Sequence, residues 1–150
     1  MIKEKKTLSV SDVYSLNQAI EMLMNSATSI SGRCSFALDK TAQACTKVLT
    51  EYEPKRLKIF KKNCEYDKDG QLVMVEEEGK HPMPKMKNGK KTENHEKEMA
   101  ELLSEKVDIE LTMLFLNDLS FIQYDQSRNP LISMIFDVMV KEQESKLVQA

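Results

Sequence analysis

In the stretch EYDKDGQLVMVE, carboxylates fall at the spacing of a calcium loop. Counting from Glu65 puts Asp67 at position 3, Asp69 at 5, Gly70 at 6, Leu72 at 8 and Glu76 at 12. An EF-hand places oxygen ligands, a turn glycine, an apolar residue and a bidentate glutamate at those positions. Position 1, however, carries Glu65 where the shorter Asp is required. Gly79, Pro82 and Pro84 follow, so no exiting helix is expected to steady Glu76. Asp69-Gly70 is also ordinary turn chemistry, because glycine accepts positive φ without a Cβ clash. The stretch is read as a turn leading into a strand. Asp67, Asp69 and Glu76 are not taken as metal ligands, and no cofactor is expected.

A second group of residues is basic: Lys55, Arg56, Lys58, Lys61 and Lys62, followed by Lys80, Lys85, Lys87, Lys90 and Lys91. Clustered cations bind a phosphate backbone by releasing its counterions, so clusters 55–62 and 80–91 suggest a nucleic-acid-binding accessory protein. Against this stand Glu76, Glu77, Glu78 and Glu93 close by, the absence of Trp, and the lack of any aromatic residue between Tyr66 and Phe115. No stacking platform for bases is apparent. A solvated, charge-balanced face is the simpler reading. The whole chain agrees with it, since 22 basic and 24 acidic residues leave a formal charge of -2 and no general field toward polyanions or anionic membranes.

Catalytic residues are scarce. His81 and His95 are the only histidines, and both fall in or beside a loop where a base would be poorly positioned. No nucleophile elbow, zinc-protease pair, phosphate loop or dinucleotide fingerprint occurs, so enzymatic activity is not expected. Cys34, Cys45 and Cys64 have neither CxxC nor zinc-ribbon spacing and read as reduced thiols in a cytosol. Combined with His81 and His95 they offer a metal site only if the fold gathers them.

The elements that would position these groups follow from periodicity. Val13, Leu16, Ile20, Leu23, Ala27 and Ile30 recur at steps of three and four and predict a one-sided helix capped by Ser9 or Ser11. SATSISGR predicts a reversal. A second stripe through Cys34, Leu38, Thr41, Cys45 and Tyr52 predicts a helix kinked at Pro54 and continuing to about Asn63. The two helices form an expected antiparallel hairpin, and their heptad-like spacing suits a partner helix or self-association. The ten methionines, among them Met22, Met24, Met113, Met134 and Met139, offer core filling or an adaptable surface.

Beyond Glu65 the alternation of Leu72 to Glu77 predicts a small β-hairpin, and residues 77–95 an exposed loop. A helix over His95 to Lys106 carries Met99, Leu102 and Leu103. Residues 107–119 read equally as strand or buried helix. Asn129-Pro130 opens a last helix through Leu131, Met134, Ile135, Val138 and Met139. The sum is a mainly α fold with a small β-hairpin (α+β), expected as a single domain over 1–150. No apolar stretch approaches the ~20 residues of a membrane span, and no signal core precedes Ser11.

NQAIEMLMN, SGRCSFALDK, DKDGQLV and EKEMAELLSEKVDIEL, in this order over roughly Ser11 to Leu111, resemble a small uncharacterised family of tailed-bacteriophage proteins. The basic insert from Lys80 to Lys91 departs from that pattern. The resemblance implies a phage or prophage origin and a non-enzymatic role, and brings no catalytic residues with it. A protein acting through contacts in the host cytoplasm, as a virion or assembly component or as a binder of a host factor, is the expectation that emerges.

Overall fold

A computed structural model describes residues 2–26, 29–122 and 129–141. It is mainly helical, with two small antiparallel two-stranded sheets. The chain expected as one domain divides into two compact units, Met1–Leu49 with Lys106–Ala150, and Thr50–Glu105. The division falls one turn before Pro54, which lies inside α2 (Gly32–Asn63). That helix reaches Asn63 as the apolar spacing predicts.

The first unit begins with β1 (Lys3–Ser9), a strand that the periodicity of KEKKTLS does not announce. It pairs antiparallel with β4 (Lys106–Thr112), from Lys3 opposite Thr112 to Ser9 opposite Lys106. Val107, Ile109 and Leu111 face Leu8, Lys6 and Glu4 on the inner side. Lys6 is accommodated there because its Nζ donates to the carbonyl of Val138 at 2.7 Å, in the last turn of α4 (Pro130–Met139). A cation suits that end, where backbone carbonyls lack helical partners. On the outer side, the Thr7 hydroxyl donates to Asp108 at 2.6 Å.

α1 (Val10–Ser26) follows β1 directly. Ser9 is its cap: the hydroxyl accepts from the Asp12 amide at 3.0 Å while Asp12 accepts from the Ser9 amide at 3.4 Å, a reciprocal capping box. Val13, Leu16, Ala19, Ile20 and Leu23 then enter the same core as Cys34, Ala37, Leu38 and Cys45 of α2 and Ile132, Ile135 and Met139 of α4. The stripes of α1 and α2 thus share one core, as expected, although the helix whose backbone approaches α1 most closely is α4. Ala27, part of the expected stripe, lies outside the described residues.

The ambiguous segment 107–119 resolves as strand to Thr112, followed by a short 3-10 turn over Leu116–Leu119. At the end of the strand the buried Thr41 hydroxyl accepts from the Thr112 amide at 3.1 Å. α4 starts as the sequence predicts, with Asn129 Oδ1 accepting from the Leu131 amide at 2.9 Å and Pro130 in the first position.

Candidate functional site

The second unit holds the carboxylates and the basic clusters singled out for calcium or phosphate chemistry. It contains α2 from Thr50 onward, β2 (Met74–Val75), β3 (Met83–Pro84) and α3 (Thr92–Leu103). EYDKDGQLVMVE forms the turn expected of it. Tyr66 bridges Leu72, Gly70 adopts φ +79°, and Asp67 Oδ1 accepts from the amides of both Asp69 and Gln71 at 2.9 Å. The Asp67 carboxylate therefore organises its own turn. The strand after it pairs with β3, Met74 opposite Pro84 and Val75 opposite Met83.

Residues 77–95, expected as an exposed loop, are mostly exposed but carry structure of their own. They include a turn with Gly79, strand β3, a second turn with Gly89, and the first turn of α3. Three backbone hydrogen bonds close a ring between the segments around Glu65, Val73 and Lys85. The Glu65 amide donates to the Lys85 carbonyl at 2.8 Å, Lys85 to Val73 at 2.9 Å, and Val73 to Glu65 at 2.9 Å. Each segment is paired with the other two, so none offers Glu65, Val73 or Lys85 as a free edge.

His95, placed by sequence where a loop would fix it poorly, is buried in the first turn of α3, while His81 is exposed. The His95 ring meets Phe60 edge-on, with centroids 4.7 Å apart. Its Nδ1 lies 3.2 Å from the Asn63 amide nitrogen, which also reaches Glu98 at 3.4 Å. With the Asn63 amide donating, Nδ1 is the acceptor of the pair.

The buried Cys64 thiol is 4.0 Å from each ring nitrogen. Cys, His and Asn are the residue types of thiol catalysis, yet burial raises the Cys64 pKa against the opposing pull of Lys87, and a neutral thiol is a poor nucleophile. These contacts join the end of α2 to α3. Cys34 and Cys45 lie in the first unit, where burial pushes their thiols up to about 11 and about 12. Among the described residues, no group of three or more His, Cys, Asp and Glu side chains is placed to hold a metal ion.

The basic candidates are largely engaged. Lys55 pairs with Glu105 at 3.5 Å and lies over the Tyr52 ring. Arg56 pairs with Glu53 at 2.6 Å and lies over Phe60. Lys62 pairs with Glu98 at 3.2 Å, and Lys85 with Glu65 at 3.3 Å. Hydrogen bonding from Lys62 holds the Glu98 carboxyl below the usual carboxylate range, and Arg56 does the same for Glu53. The Lys87 ammonium donates to the Lys61 carbonyl, capping α2. Lys58, Lys90 and Lys91 form no ion pair among the described residues. With 13 Asp and Glu against 12 Lys and Arg in Thr50–Glu105, the unit has no surplus of positive charge.

Among the described residues, the feature best suited to binding is one that the sequence reading did not pick out. A groove of about 340 Å³ runs between β3 and α3, with Phe60 and His95 among its lining residues and Met83, Met86, Met99 and Leu103 along it. Exposed Val75, opposite Met83 on the paired strand, adds apolar surface beside it. Part of the signal was present, for Met99 and Leu103 are one helical step of four apart. Leu102, grouped with them by sequence, is instead buried. Met83 and Met86 carried no signal, because they stand among prolines and glycines without periodicity. Met113 and Met139 fill the core of the first unit.

Among the described residues, no helix is long and apolar enough to cross a membrane. No protein-family model, curated protein or solved structure matches the chain.

Proposed function

We propose that this chain acts through protein-protein contacts and not through catalysis, with the methionine-lined groove of the second unit as its contact surface. The observation that carries this reading is the groove itself. Met83 is 43% exposed, and with Met86 and Met99 it lines an open apolar groove. Methionine is unbranched and polarizable, so such a surface repacks around a partner. Exposed Val75, opposite Met83, adds to the apolar area, and exposed apolar surface of this kind marks interaction sites.

A phage or prophage origin, with action in the host cytoplasm or the virion, rests on the resemblance of NQAIEMLMN, SGRCSFALDK and EKEMAELLSEKVDIEL to tailed-phage proteins. The nucleic-acid alternative through Lys55 to Lys62 and Lys80 to Lys91 loses support from the pairing of Lys55, Arg56, Lys62 and Lys85 with carboxylates.

Affinity capture and multi-angle light scattering test the proposal. The wild-type protein is expected to retain a defined protein partner or to self-associate, and Met99→Glu to lose that contact while keeping its helical circular-dichroism spectrum. A monomer that captures nothing, or a Met99→Glu variant that captures as well as wild type, would overturn it.

A further inference from the structure

We infer that the groove takes an amphipathic helix from a protein partner, with apolar anchors in the groove and a lysine or arginine set against Glu96. This inference rests on the contact reading above and specifies what the groove receives.

Three observations select that occupant. The first concerns backbone recognition. On the edge of β3 away from β2 a strand is poorly received, because Pro84 has no N–H and the Lys85 amide and carbonyl are both used in the closed ring. The groove must therefore read side chains. The second concerns polarity. Small ligands are oriented by a few polar groups converging on them, whereas here the His95 Nδ1 on the lining is already taken by Asn63. Apolar contact dominates, as in helix-in-groove recognition.

The third is charge. Glu96 lines the groove and is exposed, and it has no ion-pair partner among the described residues; Glu93, one turn earlier, has none either. The cations near β3 are engaged, Lys85 with Glu65, Lys80 with Glu77 and Lys87 with the Lys61 carbonyl. Lys90 and Lys91 stand before the N-terminal end of α3, and within the helix Glu93, Glu96, Glu98 and Glu101 outnumber the one cation, Lys97, so the basic end of the wall lies at Thr92 and the helix beyond it is acidic on balance. A partner cation beside Met99 meets Glu96 without displacing an existing pair. Such rim charges govern partner choice more than raw affinity.

The test uses two fluorescent helical peptides of about five turns, identical in their leucine and methionine anchors, one flanked by lysine and the other by glutamate. Anisotropy with the full chain is expected to show the lysine-flanked peptide binding at least about tenfold tighter at low salt, with the gap narrowing at high salt. Glu96→Lys is expected to invert the preference, and Met99→Glu to weaken the tighter complex. Equal binding of both peptides, preference for the glutamate-flanked one, or no inversion in Glu96→Lys would overturn the inference. Binding of neither peptide while a partner is still captured through Met99 would overturn it too, leaving the contact reading standing. A concentration-dependent dimer lost in Met99→Glu would identify a second copy as the occupant and refute it.

Discussion

Val10, Val13, Leu16, Leu23, Leu38, Leu111 and Ile135 are sealed from solvent in the first unit, while the second buries only Asn63, Cys64, His95 and Leu102. Two of those four are polar, Asn63 and His95, held to each other, with Asn63 also reaching Glu98. The first unit draws its stability from apolar area removed from water, roughly 25 cal/mol per Å². The second relies more on closed backbone rings, turns and a small polar cluster, and leaves Met74 and Met83 open to solvent. Regions with few buried apolar contacts tend to open at lower free energy.

The comparison is broken most directly by the same truncation in both units. Leu16→Ala removes a side chain with no exposed surface and is expected to cost about 3–5 kcal/mol, whereas Leu102→Ala, at 7% exposure, should cost nearer 2 kcal/mol. Urea unfolding measures the totals. Amide exchange assigns them, with Leu102→Ala expected to speed exchange within Thr50–Glu105. Equal costs would show that the second unit is packed as tightly as the first.

How much of this was legible follows from where apolar periodicity exists. Leu16, Ile20, Leu38 and Ile135 repeat at helical steps, so the helices of the first unit could be read. β1 could not, because its inward positions include Glu4 and Lys6, and Lys6 is tolerated only through a carbonyl 132 residues away. The Asp67 turn was legible because its chemistry is local. The groove was not: its β3 wall forms through long-range pairing around Lys85, and burial of His95 depends on Asn63 and Phe60, more than thirty residues earlier.

Alkaline pH probes the first unit next. The Cys34 and Cys45 thiols rise from 9.0 to about 11 and about 12, chiefly through burial. Below 9 both states keep their protons and this contribution to stability is complete. Above 9 the unfolded chain loses protons that the folded chain still holds, so stability falls until the folded thiols ionise between about 11 and 12. Urea midpoints measured from pH 8 to 10.5 should decline with pH, and the decline should be shallower in a Cys34→Ala, Cys45→Ala double variant. An unchanged slope would place the alkaline loss in other groups.

A smaller, local loss is expected from His95→Leu. The variant keeps an apolar body against Phe60 but removes the Nδ1 acceptor, leaving the Asn63 amide with Glu98 alone. The cost should be about 1 kcal/mol, read as faster amide exchange at the end of α2 and in α3. If exchange accelerates equally around Leu16, the polar cluster supports more than its own unit.

The smallest test asks for opposite signs from one substitution. Gly32 opens α2 right after Ser31, whose hydroxyl accepts from the Cys34 amide at 3.2 Å. An added Cβ there meets nothing within 4 Å, and no positive φ is required. Gly32→Ala should therefore stabilise by about 0.5 kcal/mol, by restricting the unfolded chain. Gly70 has equal space but a φ of +79°, which costs an L-residue roughly 1–2 kcal/mol, so Gly70→Ala should destabilise by about 1 kcal/mol. Space is the same at both positions, and only backbone conformation differs. Matching signs in thermal melts of the two variants would mean that the Asp67 turn relaxes without cost, and that the second unit is looser still than its hydrogen bonds indicate.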